Sequence, residues 1–197
     1  MKKKSYTWRE YNKLVADLAR QIANSGWRPD YIVGVTRGGL PAAVMLSHYF
    51  NVPMHGLGVS LRDDNGFGPE SNLWMAEDAF GYPKNEKFVA DENDVGAVLD
   101  AAGSLLEEGE SYKNILIVDD INDSGATINW IMQDWQSSCL PNDPDWQHVW
   151  GNNVRFAVVI DNLASKAKMC ASYVGETVNK AEEDVWIEFP YEAWWRI

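Results

Sequence analysis

The stretch Ile115-Leu116-Ile117-Val118-Asp119-Asp120-Ile121-Asn122-Asp123-Ser124-Gly125-Ala126-Thr127 decides the fold. Four apolar residues with no polar one among them suit a strand covered on both faces, as in a parallel sheet with helices on each side. Asp119 and Asp120 then fall at that strand's carboxyl end, the edge where open α/β sheets bind ligands. Residues 123–127 turn into a helix predicted over 126–136. Hydroxyls and first-turn N–H groups at a helix start form an anion site, and Gly125 lets a ligand approach the backbone closely.

Rival chemistries for the same residues are testable by spacing. A calcium loop beginning at Asp120 would use Asn122 and Ser124 and turn at Gly125, but its twelfth position is Ile131 where a glutamate is needed. A triphosphatase would need G-x-x-x-x-G-K-[ST] and a dinucleotide site G-x-G-x-x-G, and the chain has neither. The structural alternative is an Asp-rich helix cap after a core strand.

Outward from this stretch, the pattern repeats. Residues 31–35 form an apolar run ending in Thr36-Arg37-Gly38-Gly39, followed by helical character over 40–50 with Pro41 in its first turn. Upstream, Thr7-Trp8-Arg9-Glu10 fits a capping box, and apolar residues recur at helical spacing until Asn24-Ser25-Gly26. Residues 52–60 read as a strand whose Pro53 suggests a sheet edge or a strand start. A further strand is predicted at 156–160, after a loop at 140–153. Alternating β and α predict an α/β domain with a mainly parallel central sheet flanked by helices. Residues 61–112 break the alternation with glycines and prolines and one helix predicted at 95–107, and read as a flexible insertion.

Composition bounds the rest. The 197 residues, 46% apolar, suffice for one domain spanning 1–197. A net charge of −12 argues against nucleic acid and acidic membranes as partners, so a polyphosphate would need local cations, N–H groups and a metal. Met1-Lys2-Lys3-Lys4 leads into polar residues, which reads as a solvated tail and not a leader, and no membrane-length apolar run follows. Two cysteines fit a reducing, cytoplasmic compartment.

V-D-D-I-N-D-S-G-A-T resembles the phosphoribosyl pyrophosphate signature of the type I phosphoribosyltransferases, and residues 5–60 and 113–192 are similar to the bacterial xanthine-guanine members. Ser124 and Ala126 stand where those enzymes often carry Thr and Gly. The resemblance implies the family's fold with a small hood, and a Mg²⁺-dependent transfer of phosphoribose from phosphoribosyl pyrophosphate to a purine, with a 6-oxopurine expected. It implies that Asp119 and Asp120 bind the ribose hydroxyls directly or through Mg²⁺, that Asp123 is the base facing the purine's imidazole nitrogen, and that Ser124, Gly125, Ala126 and Thr127 hold the 5′-phosphate. Thr36, Arg37, Gly38 and Gly39 resemble the pyrophosphate loop, where a cis non-proline peptide is frequent and Arg37 would meet the leaving group's charge.

Asp184-Val185-Trp186-Ile187-Glu188 resembles the family's purine cover, with Trp186 stacking, Trp186 and Ile187 backbone groups reading the base edge, and Glu188 near the metal or a polar edge. One departure concerns base choice. Related enzymes carry a Lys after the strand matching 156–160, where it reads the 6-oxo group; this chain has Asp161-Asn162, with Lys166 four residues on. Asn162 is then the expected reader, able to donate to an oxo group or accept from an amino group. The family also forms dimers or tetramers, so a homo-oligomer is expected. Two other readings keep the fold: a non-catalytic phosphoribosyl pyrophosphate sensor, which would need a DNA-binding extension or basic face absent from this acidic chain, and a transferase acting on a non-purine base.

Overall fold

The computed structural model describes residues 2–59, 72–81 and 112–195. The helix expected at 95–107, and all of the 61–112 insertion except residues 72–81 and 112, lie outside the described residues.

Helix α1 (Trp8–Asn24) starts at the predicted box: Thr7 Oγ1 accepts the Glu10 amide at 3.3 Å, and the Glu10 carboxylate accepts the Thr7 amide at 2.8 Å. Its buried stripe, Tyr11, Val15, Leu18 and Ile22, packs on the sheet, each side chain contributing roughly 1.5–3 kcal/mol. Strand β2 (Tyr31–Thr36) follows, then α2 (Leu40–Phe50), β3 (Met54–Gly58), α3 (Leu73–Phe80), β4 (Ile115–Asn122), α4 (Ala126–Ser138), the short α5 (Trp146–Val149), β5 (Val154–Asn162) and β6 (Tyr173–Val178). The strands β2 to β6 form one sheet in the order β3-β2-β4-β5-β6, and every pairing is parallel.

β4 lies at the centre, and its alternation divides two cores. Leu116 and Val118 join the layer of α1 and α2, while Ile115 and Ile117 join that of α3, α4 and α5, where Trp135 and Trp146 are buried. The chain moves from β2 to β3 in one direction and from β4 to β6 in the other. The carboxyl ends of β2 and β4 therefore diverge at a topological switch point, the usual ligand crevice of such sheets.

Four segments differ from expectation. β4 continues past Val118 to Asn122 because β5 runs alongside it, pairing Asp119 with Val158 and Asn122 with Asp161. Residues 72–81, within the stretch read as a punctuated insertion, hold α3, whose Met75, Ala76 and Ala79 are buried against the sheet. The 140–153 loop contains α5, anchored where the Trp146 indole donates to the Cys139 carbonyl at 2.9 Å. Lys2, Lys3 and Lys4 are not a solvated tail: β1 (Lys2–Ser5) pairs in parallel with β7 (Val185–Glu188), and the three ammonium groups meet Glu183, Glu188 and Glu176. In an acidic chain, carboxylates are the available neighbours for such a strand. Among the described residues no helix is long and apolar enough to cross a membrane.

Candidate active site

Two loops meet at the switch point around a cavity of about 530 Å³, a size typical of small-molecule sites. The first follows β2. Its Thr36–Arg37 peptide is cis, Thr36 and Gly38 line the cavity, Gly39 is buried at the start of α2, and Arg37 is exposed beside them. The loop needs its glycines for room. A β-carbon on Gly38 would lie 1.9 Å from Asp120 Oδ2, and one on Gly39 would lie 2.2 Å from the Val118 carbonyl oxygen.

The second loop follows β4, and Asp119, Asp120, Asp123, Ser124, Gly125, Ala126 and Thr127 all line the same cavity. Gly125 has φ +84°, a conformation that disfavours a β-carbon; one placed there would meet the Ala167 amide nitrogen at 2.2 Å. Inside α4 the first bond runs from the Asn129 amide to the Gly125 carbonyl at 3.0 Å, so the Thr127 and Ile128 amides have no intrahelical acceptor. Ser124 Oγ sits 3.3 Å from the Ala126 amide. Hydroxyls and outward amides around a helix start give an anion cradle.

Asp119 and Asp120 are adjacent and half-buried. Burial, then the charge of Asp120, raises Asp119 well above the ordinary carboxylate range; burial also raises Asp120, opposed by a hydrogen bond from Tyr191. The Asp120 amide donates to Asp119 Oδ1 at 2.9 Å. Tyr191 was not identified from the sequence. Its hydroxyl donates to Asp120 Oδ2 at 2.8 Å and approaches the Gly38 carbonyl at 3.1 Å, joining the two loops. Ring contacts with Tyr11 and Phe189 hold it there.

Two neighbouring carboxylates on one cavity wall can share a cation with an anionic ligand. Among the described residues no cluster of three or more ligating side chains exists, so these residues alone form no metal cage. That donor set fits Mg²⁺, which binds through one or two carboxylates together with substrate phosphates and water.

Asp123 has a partner that local sequence did not signal. Lys180, in the turn between β6 and β7, places Nζ 3.0 Å from Asp123 Oδ1 and lines the cavity. Asn162, the expected base reader, faces elsewhere. It is buried, its amide nitrogen donates to the Asp123 carbonyl at 2.9 Å, and its oxygen accepts the Lys180 amide at 3.0 Å and the Ala164 amide at 3.2 Å. With that amide engaged by the protein, Asn162 is a bracket for the loops, not a group presented to ligand. Lys166 also braces: its amide donates to the Ser124 carbonyl at 3.1 Å.

β7 forms a further wall. Val185 and Ile187 are buried, whereas Trp186 is 47% exposed and lines the cavity together with Ile187, so the ring is available to a planar ligand. Glu188, expected near the metal, is instead turned to β1, where Lys3 Nζ lies at 2.6 Å and Ser5 Oγ at 2.8 Å. Glu188 is not among the residues lining the cavity; Glu192, two residues beyond Pro190, lines it instead.

A family model described as phosphoribosyl transferase domain matches residues 6–192. A hypoxanthine-guanine phosphoribosyltransferase of Schizosaccharomyces pombe is 24% identical over 200 residues, covering 95% of this chain and 88% of that protein. Two solved structures share the fold. A purine phosphoribosyltransferase from Pyrococcus horikoshii Ot3 has a TM-score of 0.57 at 21% identity, covering 97% of this chain and 95% of its own. The Helicobacter pylori xanthine-guanine-hypoxanthine phosphoribosyltransferase has a TM-score of 0.60 at 17% identity, covering 98% and 95%.

Proposed function

Since the chain belongs to the phosphoribosyl transferase domain family, we propose that it transfers phosphoribose from phosphoribosyl pyrophosphate to a purine, with a 6-oxopurine as acceptor. The observation that carries this reading is the convergence, on one cavity, of the two glycine-containing loops, the Asp119–Asp120 pair and Trp186. The purine names of the relatives support the acceptor class.

In this reading the Ser124–Thr127 amides and hydroxyls hold the 5′-phosphate, Trp186 stacks on the base with Ile187 backbone groups at its edge, and Asp119 and Asp120 hold the ribose hydroxyls. The purine nitrogen bonds to C1 of the ribose as the C1–oxygen bond breaks and pyrophosphate leaves with the electron pair. Asp123 takes the proton that the imidazole ring gives up, completing the balance. The amides of the Thr36–Gly39 loop and the Arg37 guanidinium stabilise charge on the departing pyrophosphate. Bound Mg²⁺, held by Asp119 and Asp120, would supply electrostatic neutralisation of the diphosphate. A cytoplasmic setting fits the two free thiols, Cys139 and Cys170, and exposed Trp194 and Trp195 suit assembly into a homo-oligomer.

The test is pyrophosphate release from phosphoribosyl pyrophosphate and Mg²⁺ with a panel of purines and pyrimidines. Release with hypoxanthine, guanine or xanthine is expected. Silence across the panel with phosphoribosyl pyrophosphate still bound would replace transfer by sensing, and release with pyrimidines alone would replace the acceptor.

A further inference from the structure

Asp123 and Lys180 come from loops 57 positions apart in sequence, yet they face one cavity as an ion pair 3.0 Å long. Lys180 is four-fifths buried at its side chain, and Asn162 fixes both members through the Asp123 carbonyl and the Lys180 amide. The bracket leaves the ammonium facing the cavity beside Asp123. Glu192, also on the wall, is an acceptor.

Resting on the purine reading above, we infer that Lys180 selects the base by its 6-substituent and does so by exchanging partners with Asp123. In a purine the imidazole nitrogen N7 and the substituent on C6 share one edge, so a group within hydrogen-bond reach of Asp123 is also beside position 6 when Asp123 faces N7. An ammonium only donates. A 6-oxo group can draw Lys180 from Asp123, which frees that carboxylate to take the imidazole proton. A 6-amino group offers donors to a donor, so Lys180 stays on Asp123 and the carboxylate is occupied. Selection therefore acts on turnover as well as on binding. The turn between β6 and β7 thereby supplies the charge that the position after β5, occupied by Asp161 and Asn162, does not.

The experiment compares wild type with K180M, K180R and, as a control on the cation that does not line the cavity, K166Q. Hypoxanthine kcat and KM, the KM for phosphoribosyl pyrophosphate and the inhibition constant of adenine against hypoxanthine are measured for each. In K180M the kcat/KM for hypoxanthine should fall about 10- to 100-fold, in line with loss of a charged hydrogen bond to substrate. The fall should include kcat, adenine inhibition should hold or strengthen, and the KM for phosphoribosyl pyrophosphate should stay within about threefold. K180R should recover part of the loss, and K166Q should leave base choice unchanged. Parallel weakening of hypoxanthine and adenine, or unchanged hypoxanthine kinetics in K180M, would overturn the inference. A wild type inactive with every purine would instead refute the function proposed above, and base selection with it.

Discussion

The Tyr191 hydroxyl lies 2.8 Å from Asp120 Oδ2 and 3.1 Å from the Gly38 carbonyl, so one side chain from beyond β7 ties the carboxylate of β4 to the loop after β2. One hydroxyl proton faces two acceptors. The bond to Asp120 favours the ionised carboxylate and opposes the upward shift that burial gives it.

Tyr191→Phe tests that link. The ring contacts with Tyr11 and Phe189 remain, so the melting temperature should shift little. We expect kcat/KM for phosphoribosyl pyrophosphate to fall about tenfold, the scale of one hydrogen bond to a charged group. Steady-state kinetics alongside thermal melts check this; an unchanged kcat/KM would show that the hydroxyl only packs.

Asp119→Asn should separate stability from activity. Asp119 holds its proton more tightly in the fold than in the unfolded chain, where the value is about 3.9. Its contribution to stability is thus full below that pH and declines as pH rises toward the raised folded value, after which it levels. Removing the charge should raise the melting temperature at neutral pH, by about 2–4 °C for each kcal/mol regained, and should flatten the pH dependence. Turnover should fall on the order of tenfold or more. Melts from acid to neutral pH, run on both proteins, give the comparison; a variant that melts lower at neutral pH contradicts it.

Gly125→Ala is expected to destabilise by about 2–4 kcal/mol, combining a left-handed backbone with a clash against the Ala167 backbone. Urea unfolding measures it. A loss under about 1 kcal/mol would mean that the 163–167 segment yields easily.

Deleting residues 2–5 should raise the KM for the base several-fold while leaving that for phosphoribosyl pyrophosphate nearly unchanged. Among the described residues β1 is the only strand paired with β7, in register from Lys2 opposite Val185 to Ser5 opposite Glu188, and β7 carries Trp186. The pairing matters more than the exposed lysine–glutamate bridges, which contribute little singly. Equal KM changes for both substrates would place the effect in global stability.

The local chemistry was legible in the sequence. Residues 115–127 announced strand, carboxylates and helix start in one run, and Thr7-Trp8-Arg9-Glu10 announced α1, because each device acts over a few residues. What periodicity could not show were partnerships made by topology. Lys3 meets Trp186 and Glu188 across nearly the whole chain, and that pairing engages the Glu188 carboxylate at β1. Asn162 looked like a reader because its chemistry suits a base edge, but the loops after β4 and β6 use its amide first. Lys180 and Tyr191 stood in segments without a motif, and only the sheet order brings them to Asp123 and Asp120.

The parity of β4 has a consequence for how sequence change reaches the chemistry. Alternation along the strand turns Asp120 toward the layer of Leu116 and Val118, and Asp119 toward that of Ile115 and Ile117. Each carboxylate is thus the terminus of a different core. Altered side-chain volume under α1 and α2 should be registered at Asp120, and altered volume under α3 and α4 at Asp119. Two neighbouring acids can therefore be reached from opposite sides of one sheet.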